Sequence, residues 1–162
     1  MTKLNLYLGG SIRDKNEYDV WWRKEFWQGL GSKYNILDPT SGRRCYRVTS
    51  NNYWAAMQET LQRDTNLMTE IDTFKIERAN VGIWNLLAFN EGYPCIGSLV
   101  EIGIAWRSHK LVFVISDNVR VYQHPFIARP AAGVFPNHKE AMQFLDEYAE
   151  VLSGTRRVEA EQ

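Results

Sequence analysis

The spacing of apolar positions changes several times along the chain, and each change predicts an element. LNLYL, Leu4 to Leu8, alternates and then stops at Gly9-Gly10, which predicts a strand followed by a tight turn. From Tyr18 to Leu30 the period lengthens: Trp22, Phe26 and Leu30 fall four apart and line one face of a helix. Trp21, Trp22 and Trp27 all fit that helix and are expected in its core contact. YNILDP predicts a short second strand ended by Pro39, and a long polar loop follows from Thr40 to about Asn52. Trp54, Met57, Leu61, Met68 and Ile71 then keep a helical period over one or two helices. NVGIWNL predicts a third strand and LAFNEGYPCIG a second long loop. SLVEIGIAWRS predicts a helix, LVFVIS a strongly apolar fourth strand, AGVF a short fifth strand and HKEAMQFLDEYAEVL the closing helix.

Strands alternating with helices predict an α/β fold of βαβ units, a mainly parallel sheet with helices on both faces. Such crossovers are right-handed, so the C-terminal ends of the strands open along one rim, where ligands of open α/β sheets bind. Three features leave strands at that rim: the turn at Gly9-Gly10-Ser11, the loop from Thr40 to Asn52 and the loop from Leu87 to Gly97. Long connections without structure of their own are uncommon unless they are functional or disordered, and two of them on one rim predict a ligand pocket.

Composition narrows the function. The 162 residues suggest a single domain over residues 1–152, with a flexible polar tail in the last ten, SGTRRVEAEQ. Nineteen basic residues balance nineteen acidic ones, which argues against a platform for polymeric nucleic acid; the local run of Arg43, Arg44 and Arg47 is the exception. Two cysteines, Cys45 and Cys95, are too few for a disulfide framework and match no zinc spacing, so a reduced, cytoplasmic setting is expected. The apolar run before Gly9 is short for a signal peptide, and no stretch is long enough to span a membrane. Neither a metal nor an organic cofactor is expected, because the few histidines and acids lack ligand spacing.

Two carboxylates carry the candidate chemistry. In GSLVEIGIAW, Ser98-x-x-Glu101 has the form of a capping box, in which Glu101 would reach back to tidy the helix start. The same position suits a nucleophile, since a carboxylate in a first turn is held ionised by the helix dipole, by ~0.3–1 kcal/mol. Gly97 lets the chain turn sharply there and lets a ligand approach the backbone. Asp72, in TEIDTFKIERAN, sits in a helical pattern that aspartate does not favour; it is either a solvated residue pairing with Lys75 or a functional acid. Tyr7 is either half-buried core or a hydroxyl pointing into the rim. Ser11 and Arg13 follow the glycines and together suit a phosphate, although Arg13 can equally pair with Asp14 or Glu17. LGGSIRD matches neither the dinucleotide fingerprint nor the Walker pattern.

The order of these pieces resembles the nucleoside 2-deoxyribosyltransferase family from Leu4 to about Leu152. Tyr7 with GGSIR comes first, then Asp72, eight residues before the Asn80 that opens the third strand, then Gly97-Ser98-x-x-Glu101-Ile-Gly103-x-Ala105. The resemblance implies a flavodoxin-like fold and cleavage of the N-glycosidic bond of a 2′-deoxynucleoside or its 5′-monophosphate. Glu101 would attack C1′ and form a glycosyl-enzyme that a second base or water resolves with retention. Asp72 would exchange a proton with the base, and Tyr7 would orient Glu101. Gly9, Gly10, Gly97, Ser98 and Cys95 fall among the substrate-binding positions. GGSIRD resembles the phosphate-binding stretch of the 2′-deoxynucleoside 5′-monophosphate N-hydrolase branch, where Ser11 and Arg13 would hold the 5′-phosphate. Tyr46, Trp54 and Tyr93 are candidates to stack on the base. The resemblance also implies a homodimer or an assembly of dimers, in which a residue such as Asn118 or His124 completes a neighbour's site.

The sequence departs from that family six residues before Glu101, where Cys95, either a small packed residue or a weak ligand contact, replaces a base-contacting aspartate. That leaves transfer to a base and hydrolysis both open. A rival of another class is a non-catalytic nucleotide-binding or sensing module on the same scaffold. A flavin carrier is a third, disfavoured by a loop poor in Ser and Thr.

Overall fold

A computed structural model describes residues 3–12, 17–40 and 69–153. The polar loop beyond Thr40, the helical pattern up to Met68 and the tail after Ser153 lie outside the described residues. Among the described residues five strands, β1 (Leu4–Gly10), β2 (Tyr34–Leu37), β3 (Val81–Asn85), β4 (Leu111–Ile115) and β5 (Ala131–Phe135), form one sheet of order β2-β1-β3-β4-β5. Every adjacent pair is parallel. This is the flavodoxin-like order, whose switch point lies between β1 and β3. The helices are α1 (Glu17–Leu30), α2 (described over 69–78), α3 (Ile96–Arg107), α4 (Val119–Tyr122), α5 (Pro125–Ala128) and α6 (His138–Ser153).

Alternation along the strands sorts the core into two layers. Leu6, Leu8, Ile83, Phe113 and Ile115 face Trp22, Phe26 and Leu30 of α1 and Ala141, Leu145 and Ala149 of α6. Tyr7, Trp84, Val112 and Val114 face the other way, onto Ile76 of α2, Ile102 and Ala105 of α3, and Ile127 of α5. Each large side chain buried this way contributes ~1.5–3 kcal/mol.

Trp84 needs two glycines to fit into the second layer. A Cβ on Gly9 would lie 2.1 Å from its indole, and one on Gly82 would lie 2.4 Å from it. In the β1–β3 register Gly9 pairs with Trp84, and Gly82 precedes Trp84 by two on the same face, so the missing side chains clear a slot for the ring. Gly82→Ala is expected to destabilise the fold by ~1–3 kcal/mol through overpacking. The same change in a Trp84→Ala background should cost far less, which a double-mutant denaturation cycle measures.

The structure corrects several expectations. Gly9 and Gly10 belong to β1 and pair with Trp84 and Asn85, rather than forming a turn beyond the strand. Of the three tryptophans of α1 only Trp22 is buried; Trp21 and Trp27 are 56% and 47% exposed, because the 3.6-residue period turns them away from the Trp22 stripe. The stretch after β3 is less open than a loop, since Leu87–Glu91 form a 3-10 turn closed by a left-handed Gly92. Helices α4 and α5 were not foreseen, although Asn118 as an N-cap and Pro125 at the first turn are ordinary start signals.

Candidate active site

The rim at the β1–β3 switch point collects the candidate chemistry. Tyr7, Gly9 and Gly10 reach it along β1, and Trp84 and Asn85 reach it along β3. Helix α3 runs back over the second layer with Ser98, Ile102 and Ala105 buried. Glu101 lies on the sheet-facing side of that helix, one turn from Ser98 and from Ala105.

Glu101 does not cap its helix. Helix α3 starts at Ile96, its N-cap is Cys95 without a side-chain cap bond, and its first turn holds no acid. The capping box read from Ser98-x-x-Glu101 is therefore displaced by three residues, and the dipole argument loses most of its force, since that effect fades beyond the first turn. The sharp entry is also not made by Gly97. Cys95 takes the left-handed conformation, φ 45°, whereas Gly97 is exposed with open space where a Cβ would sit. Such a conformation is costly for a residue other than glycine, by roughly 1–2 kcal/mol. The Cys95 thiol is buried and donates to the Tyr93 carbonyl at 3.5 Å.

The Glu101 carboxylate instead points inward. Trp84 Nε1 donates to Glu101 Oε2 at 3.0 Å. Burial pushes the Glu101 carboxyl up to about 7, the Trp84 bond opposes that rise, nearby Asp72 adds to it, and Tyr7 and Arg23 oppose it. Glu101 and Asp72 are thus near enough to repel, on the same side of the molecule. Tyr7 is fully buried in the second layer, not half-buried, with its ring 5.7 Å from that of Trp84. Its hydroxyl is buried with no hydrogen-bond partner among the described residues. It still acts on Glu101, and burial followed by the two carboxylates pushes its own pKa upward. Asp72 is half-buried on α2, while Lys75 of the same helix donates to the Asp38 carbonyl at 2.9 Å.

Sequence reasoning missed two further residues. Trp84 reads as core in an apolar strand, and only the paired glycines beside it signal a special fit. Arg23 reads as a solvated helix residue but is 1% exposed. Its guanidinium donates to the carbonyls of Leu8 at 3.3 Å, Gly10 at 3.0 Å and Ser11 at 3.5 Å, and pairs with Asp38 at 3.7 Å. It ties down the end of β1 and brings one fixed positive charge to the rim. Ser11 Oγ is buried there with no hydrogen-bond partner among the described residues. Arg13, Tyr46, Trp54 and the run of Arg43, Arg44 and Arg47 lie outside the described residues. Tyr93 is exposed beside Cys95. Asn118 caps α4 and donates to Asn90 Oδ1 at 3.1 Å, while His124 opens α5 and stacks on Phe126.

The architecture defines a flavodoxin-like α/β protein with two acids at its switch-point rim. Its fold matches known structures: at TM-score 0.56 and 14% identity it matches the 2-deoxyribosyltransferase of the psychrotolerant bacterium Bacillus psychrosaccharolyticus, over 85% of this chain and 90% of that one. It matches the CMP N-glycosidase BcmB of Clostridium botulinum at TM-score 0.54 and 15% identity, over 89% and 99% of the two chains. A conserved protein of Enterococcus faecalis V583 matches at TM-score 0.64 and 12% identity, over 91% and 99%. No protein-family model matches the chain, and no curated protein matches it by sequence.

Proposed function

We propose that the protein cleaves the N-glycosidic bond of a 2′-deoxynucleoside or its 5′-monophosphate, with Glu101 as nucleophile and Asp72 as the acid serving the base. The observation that carries this reading is the meeting of Glu101, Asp72 and Tyr7 at the β1–β3 rim, with Trp84, Tyr7 and Arg23 all favouring the ionised form of Glu101. One Glu101 oxygen forms the bond to C1′ while the C1′–N bond breaks, its electron pair leaving with the base. Asp72 protonates that base, or the base takes a proton from solvent through it. A second base or water then attacks C1′ and gives its proton to Asp72, and the C1′–O bond breaks to release the Glu101 carboxylate, with net retention.

The Ser11 hydroxyl, without a hydrogen-bond partner among the described residues, supports a phosphate at the end of β1 beside Gly9 and Gly10, and Arg13, two positions on in the sequence, is assigned to the same phosphate. Gly97, Ser98 and Cys95, at the start of α3, are assigned to the base and sugar.

The reading extends to a homodimer. The outward side of α3 carries exposed Leu99, Val100 and Trp106, and with α4 and α5 it borders an apolar groove of about 900 Å³ that includes Phe126, 81% exposed. A helix apolar on both sides wants cover on both. A second copy seated there would bring Asn118 and His124 to a subunit boundary.

Incubation with deoxynucleosides and their 5′-monophosphates, with and without an acceptor base, tests the function. One structural neighbour is a CMP N-glycosidase, so CMP is included as the ribose control. Base exchange assigns a transferase, base release from the monophosphates alone assigns a hydrolase, and inertness towards all of them overturns the reading.

A further inference from the structure

We propose that Trp84 is a positioning residue: its indole N–H holds Glu101 Oε2 and leaves Oε1 as the oxygen aimed at the substrate. This rests on the reading of Glu101 as nucleophile. The Nε1–Oε2 distance is 3.0 Å, and Trp84 is fully buried. Its ring cannot drift, because the slot is closed on both edges. The pyrrole edge, Cδ1 and Nε1, lies over Gly9, and the benzene edge, Cζ3 and Cη2, lies over Gly82, each within 2.5 Å of where a Cβ would be. Tyr7 packs against the same ring at 5.7 Å.

The chemistry of the donor sets its role. An indole N–H donates one hydrogen bond, accepts none and does not titrate, so it cannot exchange a proton with the base. What it supplies is direction and charge stabilisation. It occupies one of the two carboxylate oxygens, which stops the carboxylate from turning, and it favours the anion in a site where burial disfavours it. Two glycines in paired strands are otherwise a weakness in a sheet; here they make room for this one ring.

Two measurements test the assignment. In isotope-labelled wild-type protein, the Trp84 indole N–H resonance, assigned through the backbone, is expected to titrate with the same midpoint as the acidic limb of the pH–activity profile. It should lose that titration in Glu101→Gln. In Trp84→Phe, which keeps an aromatic ring in the slot but removes the donor, the acidic limb should move upward by about one to two pH units. A structural role in packing alone would lower stability without moving that limb. A Trp84 indole resonance indifferent to Glu101→Gln, or an unmoved limb in folded Trp84→Phe, overturns the proposal. Failure of the underlying reading looks different: Glu101→Gln would then keep its turnover, whatever the indole resonance does.

Discussion

Glu101→Gln is expected to lower glycosidic turnover by roughly 10⁴-fold or more, in a protein that remains folded. The amide keeps the shape of the side chain but cannot supply an anionic oxygen to C1′. The same substitution should reveal the cost of burying the acid. The Glu101 carboxyl is raised from 4.5 to about 7, burial being the main cause, so the folded state holds its proton more tightly than the unfolded chain does. Its contribution to stability is fully present below about 4.5 and is lost as the pH rises through about 7. Wild type should therefore lose stability relative to Glu101→Gln over that interval, and chemical denaturation at pH 4.5 and pH 8 measures the change. A mere helix cap would behave oppositely, with the glutamine variant slightly less stable only where the acid is ionised, and turnover untouched. Wild-type turnover should also rise with pH along an acidic limb with its midpoint near 7, because only the ionised Glu101 attacks.

The second large effect belongs to Asp72. Replacement by asparagine is expected to reduce release of an ordinary base by about 10²–10⁴-fold, the usual contribution of a positioned acid. The reason is local: a nucleobase anion is a poor leaving group until it is protonated. A deoxyriboside whose leaving group departs readily as an anion needs no such help. Asp72→Asn should turn that substrate over nearly as fast as wild type does, whereas Glu101→Gln should fail on both. Equal losses on both substrates would mean that Asp72 acts through the fold or through Glu101, not on the base.

The fold was legible because its signals are redundant. Leu4 to Leu8, Val81 to Asn85 and Leu111 to Ile115 are strands by alternation or by continuous apolar runs, and the four-residue spacing of Trp22, Phe26 and Leu30 marks α1. Periodicity failed where one face was over-read, as with exposed Trp21 and Trp27. It also failed where short elements were too brief to show a period, as with α4 and α5.

The two candidate acids stand out by motif, but their environment does not. Ser98-x-x-Glu101 looks like a cap because spacing within one helix is local information; the actual partner, Trp84, comes from a strand seventeen residues earlier. Arg23 is the same lesson. Nothing near it in sequence says that three carbonyls at the end of β1 need its donors. Those contacts arise only when the strand and the helix are folded together.

The most direct test of the mechanism is to quench the protein during turnover and weigh the peptide that contains position 101. A sugar or sugar-phosphate esterified to Glu101, formed only with substrate and missing from the glutamine variant, is the predicted result. Sustained base release with that peptide unmodified, even in Asp72→Asn with the readily leaving substrate, would contradict a covalent route through this carboxylate.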